Sequence, residues 1–186
     1  MSARVWYFAY GSNMQPATFA GRRGIAPSRA IAARAPGWEL VLDKPPLVPI
    51  GESFANLVAA PESAAYGVVY EITTDDLAHV DLTEGVLIGN YARVEIAVEP
   101  LAEAAPANPP HPTRAFTLVA DTRAPDLLPS DRYMRLLIEG AEHHGLPAAW
   151  IARLRALPTK PSTVEATAAR ALIDAGLAAA REWKQR

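Results

Sequence analysis

The sequence predicts an α+β fold. Strand-like segments fill the first two thirds of the chain and helical ones the last third, an order that favours a largely antiparallel or mixed sheet over alternating βαβ units. Proline and glycine cut the first part into short apolar or alternating runs, the pattern of strands and turns. The chain has 186 residues, 50% hydrophobic and 20% charged. That is an ordinary globular mix, long enough for one domain over 1–186 with one sizeable core.

Val5–Tyr10 is apolar and aromatic, stops at Gly11 and reads as a buried strand. Gln15–Arg23 reads as a short helix or a turn. Ser28–Arg34 and Trp38–Asp43 read as two strands separated by the turn signal Pro36-Gly37. Lys44–Pro49, with three prolines, reads as loop. Ala55–Ala59 and Ala65–Ile72 read as two more strands joined by a polar turn. Thr73 or Thr74 then caps a short helix whose positive end Asp75 and Asp76 favour. Leu77, Val80 and Leu82 give it an apolar side, and it ends near Thr83-Glu84-Gly85. Tyr91–Val98 reads as a strand, with Val94, Ile96 and Val98 on one face and Arg93 and Glu95 on the other.

Glu99–Thr113, which carries Pro100, Pro106, Pro109, Pro110 and Pro112, is a long irregular connection. Thr113–Ala120 returns as a strand. Ser130–His144 has helical spacing and Gly145 suits its left-handed cap. Ala148–Leu157 is a second helix, closed by Pro158. Ser162-Thr163-Val164-Glu165 has the form of a capping box opening a third, amphipathic helix toward Trp183, over 162–184. That helix can pack on its own domain or on a second copy, which leaves a homodimer open.

Several function classes are disfavoured. A net charge of −2 and a pI near 6.1 give no electrostatic footprint for nucleic acid. The pair Arg22-Arg23 reads as solvated surface. The absence of cysteine removes disulfides, thiolate nucleophiles and thiolate-bound metals. It suits a reducing, cytoplasmic setting. No basic-then-apolar leader and no membrane-length apolar run is seen, so the expectation is a protein with no membrane partner. The histidines lack ligand spacing, and no Gly-x-Ser-x-Gly elbow occurs. No metal is expected.

Two features carry chemistry. The run Tyr7-Phe8-Ala9-Tyr10-Gly11-Ser12-Asn13-Met14 ends an aromatic strand on a glycine turn. Gly11 permits a close backbone approach, and successive N–H groups there can form an anion-binding nest. Ser12 and Asn13 add short polar side chains. No lysine follows, so nucleotide phosphate fits poorly. The same turn also reads as a plain strand-to-helix connection. Glu84 is the second feature. It stands at a helix C-terminus, where the dipole disfavours a carboxylate. It is either held there so that the carboxylate projects somewhere, or it is an ordinary surface residue.

The same residues form a family pattern. The Tyr7–Met14 run resembles the signature of the gamma-glutamylcyclotransferase family. Tyr66-Gly67-Val68-Val69-Tyr70 resembles its central strand. Asp81-Leu82-Thr83-Glu84-Gly85, followed by Gly89-Asn90-Tyr91, resembles its catalytic segment. Pro129-Ser130 with Tyr133, Gly140-Ala141 and His144-Gly145-Leu146-Pro147 resemble its helical C-terminal part. The landmarks keep the family's order from about Val5 to Pro158.

The resemblance implies a compact mixed β-barrel with flanking helices and no metal or organic cofactor. It implies a small gamma-glutamyl substrate, held by Tyr10, Gly11, Ser12, Asn13 and Met14 through backbone amides, with Tyr91 and Tyr133 lining the pocket. It implies that Glu84 is the acid/base that helps to form 5-oxoproline. Met14 stands where the family often has leucine. The proline-rich segments Lys44–Pro49 and Glu99–Thr113 depart more, and they bear on the leaving-group side.

Overall fold

The computed structural model describes residues 2–101, 112–169, 171–172 and 175–176. Strands β1 (Arg4–Ala9), β2 (Arg29–Lys44), β3 (Phe54–Thr73), β4 (Ala92–Ala97), β5 (Glu99–Pro100) and β6 (Arg114–Val119) form one sheet in the order β4-β6-β1-β3-β2-β5. The sheet curls into a half-barrel. It is mixed: β1 meets β6 in parallel at Tyr7 and Phe116, and the other pairings are antiparallel. Helices α1 (Thr74–Glu84), α2 (Asp131–His143) and α3 (Ala148–Ala156) flank it.

The four predicted strands between Ser28 and Ile72 are two. Pro36-Gly37 does not end β2, and the polar residues 60–63 do not end β3. The register passes from Pro36 opposite Ala64 to Trp38 opposite Ala59. The two turn signals therefore face each other and merge into one irregularity, with Gly37 at φ +80° absorbing the mismatch. Such an insertion bends a ladder without breaking it. The result is one long bent hairpin whose far end, 45–53, overhangs the site. The first residue of the predicted Lys44–Pro49 loop, Lys44, closes β2 instead.

Helix ends follow local chemistry. Thr73 caps α1 in a reciprocal box with Asp76, and Gly85 closes it at φ +74°. Leu77 and Val80 are buried, but Leu82 is exposed, because two residues on from Val80 lies the opposite helix face. Ser130 Oγ caps α2 by accepting from the Tyr133 N–H at 3.3 Å. Thr163, not Ser162, caps the next helical stretch: its Oγ1 accepts from the Ala166 N–H at 3.0 Å. Residues 164–169 are helical. The remainder of the predicted run to Trp183, and residues 102–111 of the proline-rich connection, fall largely or wholly outside the described residues. Glu99–Pro100 of that connection pairs with β2.

The core lies between the concave sheet and the helices. Phe8, Leu57, Val68, Val69, Ile72, Leu137 and Leu154 are fully or almost fully enclosed. Gly140 lets α2 press on the turn after β1. A Cβ there would stand 2.7 Å from Met14 Cβ and 2.8 Å from Gln15 N. Gly140→Ala is expected to overpack this contact. We expect a loss of about 1–3 kcal/mol in unfolding free energy, read from the denaturant midpoint.

Candidate active site

β1 carries Tyr7 and Tyr10 to the mouth of the half-barrel and stops at Gly11. Ser12–Met14 form one 3-10 turn, closed by Met14 N–H to Gly11 O at 3.0 Å and Gln15 N–H to Ser12 O at 3.1 Å. The Ser12 and Asn13 N–H groups therefore have no partner within the turn. A Cβ on Gly11 would lie 3.2 Å from the Tyr133 hydroxyl, so the glycine lets the aromatic ring close in. The turn is braced from behind. Tyr70 Oη donates to the carbonyls of Asn13 and Met14 at 3.3 and 3.2 Å, and His144 Nε2 lies 3.1 Å from the Met14 carbonyl.

Glu84 ends α1, at the negative pole of that helix. What holds it there is a pair of donors from the first strand's turn and the segment after it. Asn13 Nδ2 donates to Glu84 Oε1 at 3.0 Å, and Arg23 Nη2 forms an ion pair with the same oxygen. Arg23 Nε donates to Asn13 Oδ1 at 2.7 Å, and its Nη1 donates to Thr83 Oγ1. The second Asn13 N–H meets Tyr7 Oη at 3.1 Å. Both partners are well shielded, with side-chain exposures of 10% for Arg23 and 20% for Glu84. Arg23 is thus not the solvated residue that its sequence suggested. A π-helical turn at Ala17–Arg22 swings it back toward α1.

A second set of contacts runs from the other flank of Glu84. Asn90 Nδ2 donates to the Glu84 carbonyl at 2.8 Å, and Asn90 Oδ1 accepts from Lys44 Nζ at 2.5 Å. The Lys44 ammonium lies 4.8 Å from the centre of the Tyr91 ring. Tyr91 Oη donates to Ala55 O at 3.3 Å, and the Ala55 N–H donates to Tyr133 Oη at 3.1 Å. The chain of contacts returns to Gly11 and encloses a cavity of about 520 Å³. Leu47, Val48 and Leu172 form an exposed apolar rim.

Burial sets the charge states inside. It pushes the phenols of Tyr7, Tyr10, Tyr91 and Tyr133 upward, and the negative Glu84 adds to the shift. They are neutral at ordinary pH. Burial pushes the Lys44 ammonium down, with the Glu84 charge opposing it. Among the described residues no group of three or more His, Asp or Glu side chains is placed to hold a metal ion.

Of the residues picked from sequence, Tyr10, Gly11, Ser12, Asn13, Glu84, Tyr91 and Tyr133 line this one cavity. Met14 does not. It is fully enclosed beneath the turn and touches the site only through its backbone. The Tyr10 hydroxyl is occupied by Leu118 O at 2.5 Å, so that residue contributes its ring as a wall. The Asn13 side chain is spent on Glu84, Arg23 and Tyr7. Sequence reasoning missed Arg23, Lys44 and Asn90. The signal for Arg23 was Glu84 itself, since a carboxylate at a helix C-terminus calls for a cation nearby.

Two outcomes follow from these contacts. In a double-mutant cycle, Arg23→Met and Glu84→Gln should couple by about 1–3 kcal/mol in chemical denaturation, because each alone strands a shielded charged or polar partner. His144 is the second case. Burial and His143 hold its imidazole below the usual value of 6.5. The native state then binds fewer protons than the unfolded chain, so stability falls as pH drops below about 6.5. His144→Gln should flatten that part of the melting temperature–pH curve between pH 7.5 and 5.

The same architecture occurs in known proteins. A solved structure of a gamma-glutamyl cyclotransferase superposes with a TM-score of 0.72 at 21% identity, over 92% of this chain and 98% of that one. YkqA from Bacillus subtilis superposes with a TM-score of 0.68 at 22% identity, over 84% of this chain and 56% of that one. In sequence, the chain is 33% identical over 171 residues to "Gamma-glutamyl cyclotransferase aclK" of Aspergillus oryzae, covering 81% of this chain. It spans 60% of that protein's length. It is 27% identical over 162 residues to the human "Gamma-glutamylcyclotransferase", covering 81% of this chain and 77% of the human one. A family model described as the AIG2-like family matches residues 64–154, the stretch that supplies Glu84, Asn90, Tyr91 and Tyr133. With its fold, its ordered motifs and these relatives in agreement, the chain belongs to the gamma-glutamylcyclotransferase-like family.

Proposed function

We propose that this protein is a gamma-glutamylcyclotransferase that converts a gamma-glutamyl amide to 5-oxoproline and a free amine. The observation that carries the reading is the Glu84 carboxylate, fixed by Asn13 and Arg23 on the wall of a closed cavity beside the Gly11–Asn13 turn. The substrate's α-amine attacks its own δ carbonyl. A C–N bond forms to close a five-membered lactam, and the original amide C–N bond breaks. Nucleophile and electrophile share one molecule, so holding the chain curled supplies much of the acceleration. No serine or cysteine nucleophile is needed.

Glu84 takes the proton that the α-ammonium must lose and returns it to the departing nitrogen. The amides of the turn offer hydrogen bonds to the glutamyl carboxylate or to the carbonyl oxygen as it gains charge. The neutral phenols of Tyr91 and Tyr133 wall the reacting carbons from water. A cysteine-free chain suits the cytosol, where we place the activity. The apolar rim at Leu47, Val48 and Leu172 favours a second form of this reading, in which the departing group is large. Comparing turnover of small and large gamma-glutamyl amides separates the two forms.

The direct test is release of 5-oxoproline from a panel of gamma-glutamyl amino acids, amines and peptides. Glu84→Gln keeps the shape of the side chain and removes its basicity. It should lower kcat by about 10²–10⁴-fold with an unchanged circular dichroism spectrum. Absence of 5-oxoproline across the panel would refute the reading.

A further inference from the structure

Lys44 is the one feature of the cavity that the proposed chemistry leaves unused. It is only 3% exposed, although it carries a charge. Its contacts are the Pro45 carbonyl at 2.5 Å, the Asn90 side-chain oxygen at 2.5 Å and the Tyr91 ring. All are neutral. Among the described residues no carboxylate lies within ion-pair distance of it, whereas the other shielded cation of the cavity wall, Arg23, is fully engaged with Glu84, Asn13 and Thr83. An ammonium has three N–H donors, and two are taken. A buried cation without a counter-charge is costly, and a ligand that brings one recovers that cost on binding.

Its position says which part of a ligand would bring the charge. Lys44 is one side chain removed from Glu84, through Asn90, on the flank away from the contacts with Asn13 and Arg23. It is also the last residue of β2 before Pro46, Leu47 and Val48, which form the outer rim. In the cyclotransferase reading, the glutamyl half occupies the turn and Glu84 hands its proton to the departing nitrogen. An acid group one carbon from that nitrogen falls on the Lys44 side. We propose that Lys44 reads a carboxylate on the departing half, so that gamma-glutamyl amides of amino acids are preferred over those of simple amines. This rests on the cyclotransferase reading for its orientation.

The test uses two ligands that differ only in that carboxylate, gamma-glutamylalanine and gamma-glutamylethylamide. Binding is measured by calorimetry on the full chain carrying Glu84→Gln, where turnover does not interfere. The alanine compound should bind about 10–100-fold more tightly, the range of a charge-assisted hydrogen bond. Adding Lys44→Met should bring the ratio close to one, and Lys44→Arg should retain most of it. In the unsubstituted protein, kcat/KM for 5-oxoproline release should show the same preference.

Equal binding of the two ligands before any change at Lys44 would overturn the assignment, whether or not Lys44→Met folds. So would a loss in Lys44→Met that falls equally on both, which would place Lys44 on the glutamyl half. A Lys44-dependent ratio in a protein that releases no 5-oxoproline would leave the assignment standing and refute the cyclotransferase reading. Failure of both ligands to bind would refute both.

Discussion

The structure around the cavity depends on one carboxylate being held where a helix repels it. Glu84 sits at the C-terminal end of α1, and the helix alone would turn its charge toward solvent. Arg23 and Asn13 reverse that preference. They come from the turn after β1 and the helical segment that follows, so the ion pair fastens the first strand's exit to the end of α1. Asn13 is fixed on three sides, by Tyr7, Arg23 and Glu84. The turn backbone is in turn pressed from below by Gly140 of α2 and held by Tyr70 and His144. A movement of any one of these elements would be felt at the carboxylate.

This arrangement divides the labour of the glycine motif. Its side chains mostly build the site: Asn13 orients the acid/base, the Tyr10 ring walls the cavity and Met14 anchors the turn in the core. Its backbone remains the part directed at a ligand. A short motif can then combine two demands that usually conflict, rigidity behind and open amides in front. The shielded phenols add apolar walls that stay neutral while the carboxylate changes its protonation.

The bent hairpin of β2 and β3 has a different role. Its far end delivers Lys44 and the apolar residues of 45–50 to the side of the cavity away from the glycine turn. The catalytic flank is therefore built from compact, tightly braced segments. The opposite flank hangs on a long hairpin tip with proline-rich chemistry. In the proposed reaction the first flank meets the half that every substrate shares, and the second meets the half that varies.

The sequence by itself determined the order of strands and helices, the caps at Thr73 and Ser130, the glycine stops at Gly85 and Gly145, and the pairing of the Tyr10–Met14 turn with Glu84. These are local signals: periodicity, a capping oxygen, a backbone angle that only glycine adopts freely, and an ordered motif. What only the tertiary structure decided are matters of long-range partnership. Pro36-Gly37 and 60–63 look like strand ends because turn signals are local, yet the ladder on either side carries through them. Arg23 and Lys44 look like surface and loop because burial of a cation depends on what the rest of the chain brings to it. One met Glu84 and became part of the acid/base. The other met neutral oxygens and an aromatic face, and the only strong partner left for it is one that a ligand supplies.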